Sequence, residues 1–454
     1  METKKFSLGE FIVSEKFYFW FIAATMAAIP VGEFITELYN RPYVSQPYIL
    51  AVSGCIGFVS VLLFFGKNAG SGKFELYPSD VFFILLVLFL TLTYIFAGGV
   101  GMIGDPVLFQ EWMIHFLAYY SLMFAGTMLN DNRLRKAALY VFAAAALFNG
   151  IFAFPQSLGL YITNCIDEPN GMHMKARMIY CFTQNCNSFA GLSVIFTAVS
   201  AGLFIFSESK RKKIIFFILY LLCFYCSIAS TARIAWLGNI GVQCLYIISF
   251  AVMKVKKYNK EKLKDHFICW AVIIAVSVIM LVYFALFTNI LQSGLQETLS
   301  DMSKDKSFES FGSRRGYLWR FAIEAIPDNW LFGTGVSNFE VVFSSNPRYK
   351  QGDMFAFFAH NEYLHTIVTQ GVFAGINYIA MLVYAVVTGV KTVINTENYE
   401  KRAITWILLG MFAGYAAQAF VNGSVINVAP YFWIVVGMTM PKCDQKPLRL
   451  KRRA

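Results

Sequence analysis

Apolar runs close to twenty residues long recur along this chain, near 17–38, 47–65, 79–100, 110–129, 137–156, 188–206, 214–231, 234–253, 267–290, 361–390, 403–422 and 424–440. Crossing about 30 Å of hydrocarbon takes roughly 20 residues of helix, so each run is long enough to span a bilayer. A spanning segment must satisfy its backbone hydrogen bonds internally, which leaves helices and closed barrels. Unbroken runs lack the apolar and polar alternation of a barrel strand. The expected fold is therefore an all-α integral membrane protein with about twelve transmembrane helices in one polytopic domain, residues 1–454, without internal repeats. A chain that is 57% hydrophobic and only 14% charged, with a mean hydropathy of +0.55, is not a soluble globular domain.

Lys and Arg in the connections set orientation, because they are retained on the cytoplasmic side. With the N-terminus inside, 27 of the 38 basic residues fall on inner segments, including Lys210, Arg211, Lys212, Lys213 and six lysines between 254 and 264. The acidic residues divide the other way, 12 inside and 15 outside. The net charge of +11 is thus a topology signal, and no nucleic-acid partner is expected. Both termini are placed inside, with the basic tail against anionic headgroups. The first apolar run is longer than the core of a secretory signal, and removing it would invert every later helix against the charge pattern.

Cys55, Cys223, Cys226, Cys244 and Cys269 fall within apolar runs, and Cys443 falls in the tail. Cys165, Cys181 and Cys186 belong to an outer segment where oxidation is open to them. No CxxC or Cys/His cluster points to a metal, and no cofactor is expected.

Two outer segments are too long for plain connectors: about 157–187, and about 291–360 between the ninth and tenth helices. Long loops in compact proteins tend to carry function. In the second, Tyr317, Leu318, Phe321, Ala322, Ala325 and Ile326 share one helical face. This periodicity predicts an amphipathic helix lying on the outer surface, ended by Pro327 and Asp328.

Three distant segments place basic groups at that outer level. Roughly nineteen residues after the cluster at 210–213 carry the chain about 29 Å at about 1.5 Å per residue, so Arg233 sits in an outer hairpin. Arg314 and Arg315 open the amphipathic helix, and His360 precedes the tenth run, with Asn361 beside it as a natural N-cap. Each has a plain reading: snorkelling for Arg233, headgroup contact for Arg314 and Arg315, packing for a histidine. His365 lies about 140° round the helix from His360 and is read as a packing or hydrogen-bonding residue. Together, cations and a group titrating near neutrality suit a diphosphate leaving group and a general base. Glu362 and Glu324 are read as solvated charges, and Glu33 and Glu37 as an acidic pair of no assigned role.

The pattern over 180–380 resembles the O-antigen ligase and polymerase superfamily of bacterial polytopic glycosyltransferases. "CFTQNCNSFAGL" is similar to its F-x-x-N-x-N-x-x-A pattern at Phe182, Asn185, Asn187 and Ala190. "STARIAW" resembles its Ser-Arg hairpin, with Thr-Ala in place of the commoner residues before Arg233. "RRGYLWRFA" resembles the R-x-x-x-W helix, with Arg315 in register with Trp319, and "LFGTGVSNF" the following G-x-G-x-x-x-F. "HNEYLHTIVTQGVFAG" resembles H-N-x-Y-L with its later G-x-x-x-G.

The resemblance implies transfer of a glycan from a polyprenyl (undecaprenyl) diphosphate carrier to a glycan or lipid-linked acceptor at the outer face of the cytoplasmic (inner) membrane. It implies that Arg233 and Arg315 bind the diphosphate, with Arg314 also a candidate in the doubled pair, and that His360 is the base. Asn361, Asn185, Asn187 and Glu362 are supporting candidates. No metal is expected, since no D-x-D occurs in an outer loop and two guanidiniums can stabilise the departing diphosphate. Two other classes fit a twelve-helix bundle. A transporter or flippase for lipid-linked or polar sugars would carry midplane charges and repeat symmetry. A metal-dependent glycosyltransferase would use Glu33 and Glu37.

Overall fold

The computed structural model describes residues 7–39, 44–70, 75–98, 111–160, 179–183, 185–256, 258–288, 308, 311–349 and 356–448. Among these residues the regular secondary structure is helical, apart from one backbone bridge between Leu76 and Leu448. Among the described residues, nine helices are long and apolar enough to cross a membrane: Glu15–Leu38, Ser45–Gly70, Pro78–Phe96, Asn132–Ser157, Cys186–Phe206, Lys210–Ala229, Arg233–Val255, Lys260–Phe287 and Val372–Asn395. This is a multi-pass membrane protein. Three further expected spans coincide with helices that do not reach that standard, Met113–Met128, Tyr399–Ala419 and Ala429–Thr439.

Helix starts follow the capping residues. Asp131 accepts from the Arg133 amide, Asn259 from those of Glu261 and Lys262, and Asn398 from that of Lys401, each satisfying a donor the helix leaves open. The helices then sort by enclosure. All 11 residues of Ala429–Thr439 are buried, and Cys186–Phe206 is buried nearly throughout, so these helices form the centre and need no polar face. Lys260–Phe287 is peripheral and exposes Ile279, Val282 and Leu286, a face suited to lipid. Small residues let the central helices approach. A Cβ added to Gly437 would come within 2.0 Å of the Met123 carbonyl oxygen, and one on Gly414 within 2.6 Å of Val194.

The chain runs back and forth between two chemically different ends. The tail end is laced by ion pairs: Lys136 with Glu400, Lys213 with Asp265, and Lys401 with Asp444. The buried Lys442 meets Asp80 there at 2.7 Å. At the opposite end, called the loop end, side-chain to backbone hydrogen bonds tie distant turns together. Gln46 donates to the Phe182 carbonyl, Asn427 to that of Thr183, and Asn422 to that of Asn187.

Two expectations are corrected at the loop end. The run expected as one helix over 361–390 is two helices, Glu362–Gln370 and Val372–Asn395, broken at Gly371 with φ +93°. The strand of chain at 330–335 crosses there: Val372 N donates to the Trp330 carbonyl at 2.8 Å, and a Cβ on Gly371 would lie 2.3 Å from the Leu331 oxygen. Glycine supplies both the left-handed φ and the room. The amphipathic helix forms, over Phe311–Ala325, but not as a helix resting on the surface. Tyr317, Leu318, Phe321 and Ala322 are buried in a second hydrophobic core with Phe339, Phe343, Tyr349 and Val368. This segment supplies its own apolar partners, so the periodic face is covered by protein.

Candidate functional site

The loop end concentrates unusual backbone. Cys181, Thr231, Arg314, Ser337 and His360 have positive φ, between 44° and 70°. L-residues with side chains occupy this region at a cost of order 1–3 kcal/mol, sustained only where surrounding contacts over-determine the conformation. Arg314 lies in the first turn of Phe311–Ala325 and Cys181 opens a short 3-10 helix, while Thr231, Ser337 and His360 lie in connections.

His360 has φ +49° and is held on both sides. Its carbonyl accepts the Trp319 indole N–H at 3.4 Å, and the next residue, Asn361, caps the short helix by accepting from the Leu364 amide at 3.0 Å. Phe358 stands edge-on to the imidazole, with ring centroids 4.6 Å apart. Nδ1 is buried, with no hydrogen-bond partner among the described residues. Desolvation, then the charge of the Arg315 guanidinium, then His365 push the His360 pKa down to about 3. The resting imidazole is therefore neutral, and a base that titrates near neutrality in the resting protein, as its residue type suggests, is not what this environment produces.

Arg315 is half-buried and acts electrostatically on His360 and on Cys186. The histidine, the arginine and the start of the Cys186–Phe206 helix thus form one neighbourhood. Asn185 is the N-cap of that helix, accepting from the Asn187 amide at 2.7 Å, and the Asn187 carbonyl receives Asn422. Arg233 is the first residue of Arg233–Val255, directly after the turn at Thr231. That helix packs on Cys186–Phe206 and Tyr399–Ala419, with Gly238 against Val194 and Gly414, which puts Arg233 at the same end. Arg314 is exposed, unlike its neighbour.

Glu362 corrects the expectation of a solvated charge. It is buried and accepts from the Tyr378 hydroxyl at 2.6 Å and the Tyr415 hydroxyl at 2.8 Å, fastening the short helix to two others. Glu324 is exposed and paired with Arg320 and Arg348. His365 packs on Phe339 and accepts weakly from the Ala359 amide. Glu33 and Glu37 are both buried, Glu33 accepting from Ser45 at 3.1 Å; among the described residues no group of three or more His, Cys, Asp or Glu is placed to hold a metal. Cys181 and Cys186 carry free thiols, and Cys165 lies outside the described residues.

One feature of this end was not legible in the sequence. A small open pocket, with room for about one water, is lined by Glu111, Ser337, Phe358, His365, Thr369 and Ser424, among others. Glu111 stands at the start of the apolar run at 110–129, and nothing in the local sequence singles it out. Its Ser337 partner lies 226 positions on, and no local pattern reports such a contact.

Residues 218–379, about a third of the chain, match the model of the O-antigen ligase family. The match contains Arg233, Arg314, Arg315, His360, Asn361 and Glu362, and begins after Asn185 and Asn187. No curated protein matches the chain. This multi-pass membrane protein thus carries, over residues 218–379, a segment similar to the O-antigen ligase family, and that segment holds the arginines and His360.

Proposed function

We propose that the protein is a metal-independent glycosyltransferase that transfers or polymerises a glycan from a polyprenyl diphosphate carrier onto an acceptor hydroxyl, at the outer face of the cytoplasmic membrane, in bacterial cell-surface polysaccharide biosynthesis. The observation that carries this reading is the match of residues 218–379 to the O-antigen ligase family, a segment that holds Arg233, Arg315 and His360, the last an imidazole kept neutral by burial and by the charge of the Arg315 guanidinium. A neutral imidazole accepts a proton and a guanidinium holds diphosphate in forked geometry. Arg233 supplies a second cation at the same end, and both termini lie in the cytoplasm.

In the reaction, the acceptor hydroxyl gives its proton to His360 as its oxygen attacks the anomeric carbon. The new C–O bond forms as the bond to the carrier breaks, and the electron pair leaves on the diphosphate oxygen, where Arg315 and Arg233 stabilise it. One displacement inverts the anomeric centre. The bound diphosphate also offsets the charge of Arg315, which removes one of the causes holding the His360 pKa down. Carrier binding in this way strengthens the base when it is needed.

The test uses purified full-length protein with lipid-linked glycan extracted from its native membrane. The reading predicts covalent glycan transfer with inversion, release of the carrier diphosphate, and no loss of rate in EDTA. Movement of intact lipid-linked glycan across proteoliposomes without any new glycosidic bond would instead identify a flippase.

A further inference from the structure

His360 and His365 occupy a matched pair of positions around one helix start. Asn361 caps Glu362–Gln370, which makes His360 the residue before the cap and His365 the fourth residue of the helix. In many helices these two places carry apolar side chains that pack together and fix the angle at which the chain enters. Here both are imidazoles, close enough that His365 acts electrostatically on His360. Phe358 joins them, its ring centroid 4.6 Å from that of His360 and 6.5 Å from that of His365. Phe339, from the second hydrophobic core, backs His365 at 5.5 Å.

His365 does what an apolar residue at this place cannot. Its backbone amide donates to the Asn361 carbonyl at 2.8 Å, and its side chain leans back over the start of the helix, the direction helical side chains take. There Nδ1 accepts the Ala359 amide at 3.4 Å. Burial pushes the His365 pKa down to about 4, so the ring is neutral and Nδ1 keeps its lone pair. The ring proton then belongs on Nε2.

Ala359 immediately precedes His360, whose φ of +49° is costly for a residue with a side chain and persists only where neighbouring contacts over-determine it. Trp319 holds the carbonyl of that residue, and Asn361 caps the helix that follows. His365 supplies the hold on the incoming backbone. We propose that His365 is a positioning residue for His360: through Nδ1 it fixes the chain entering the turn, and with Phe358 it keeps the His360 imidazole in one pose. The consequence for catalysis rests on the glycosyltransferase reading, in which that imidazole takes the acceptor proton; the pose itself does not.

The experiment compares three variants of the full-length protein in detergent, at matched folded amount. His365→Leu keeps the bulk and removes the acceptor. His365→Asn places its side-chain oxygen near the position of Nδ1, whereas His365→Gln places its amide near that of Nε2. Three quantities are measured: transfer on lipid-linked glycan from the native membrane, farnesyl diphosphate binding, and the His360 ring resonances of labelled histidine, identified by their loss in His360→Gln. His365→Leu and His365→Gln should each lower kcat by roughly 10-fold or more, since small misplacements of a reacting group are costly. KM and farnesyl diphosphate binding should stay within about twofold, and the His360 resonances should broaden or split. His365→Asn should restore most of the wild-type kcat and a single set of His360 resonances. Equal losses in Asn and Gln, a wild-type kcat in His365→Leu, or His360 resonances unchanged in both Leu and Gln would overturn the assignment. If His365→Leu does not fold, the Asn and Gln pair makes the same comparison. A wild-type protein that transfers no glycan would count against the glycosyltransferase reading, while the resonances, recorded without substrate, still decide the pose.

Discussion

Trp319 donates its indole N–H to the carbonyl of His360, 41 positions away, and so joins the helix that carries Arg315 to the residue that Arg315 influences. The two candidate site residues are thereby held in one frame. Trp319→Phe removes the donor and keeps most of the ring, costing on the order of 0.5–1.5 kcal/mol. The expected result is a lowered thermal midpoint and a several-fold drop in transfer rate, with the protein still in the membrane. An unchanged rate would show that the His360 pose does not depend on this bond.

The depressed pKa of His360 dictates a pH profile. For free enzyme, kcat/KM should stay flat from pH 8 down to pH 5, because the imidazole is already neutral with a pKa near 3. With carrier bound, kcat should show its acid limb at higher pH, since diphosphate offsets Arg315. Folding stability carries the same sign. Below about pH 6.5 the unfolded chain's histidine takes up a proton that the folded one refuses, so this contribution to stability is present above pH 6.5 and is lost as pH falls toward 3. Arg315→Gln should raise the His360 pKa, measured by NMR on labelled histidine.

Arg315→Ala and Arg233→Ala should each lower transfer by roughly 10²–10³-fold, the usual effect of removing one stabiliser of a developing charge. Lysine should rescue only in part, because a point charge does not reproduce the fork. Arg314→Ala should be the mildest of the three, as that side chain is exposed. Initial rates at matched protein levels check this order, and full activity in Arg233→Ala would return that arginine to a snorkelling role.

Sidedness is checked by single cysteines in a background without native ones. A cysteine at Asn346, in the outer segment, should react with an impermeant thiol reagent in intact cells, and one at Asn259, the cap of Lys260–Phe287, should not. Labelling at Asn259 would invert the orientation and move the site to the other face of the membrane.

Nine of the expected spans, the capped start at Asn361 and the apolar face of the 311–325 helix were legible because each is a local pattern of period or spacing. The partners were not. Glu362 reads as a surface charge in isolation, yet the tyrosines that hold it come from 16 and 53 positions along the chain. Gly371 reads as part of an unbroken apolar run, and only the crossing of residues 330–335 makes it a break. The depressed pKa of His360 was hidden for the same reason, since residue type gives the ordinary value while burial and Arg315 set the actual one.

The most direct measurement of the central claim is the transfer rate of purified His360→Gln protein on native lipid-linked glycan, beside farnesyl diphosphate binding by the same preparation. The account predicts a rate lowered by about 10²-fold or more, with diphosphate binding retained by the arginines. Transfer at a near wild-type rate would contradict it and leave His360 as a residue of the helix cap alone.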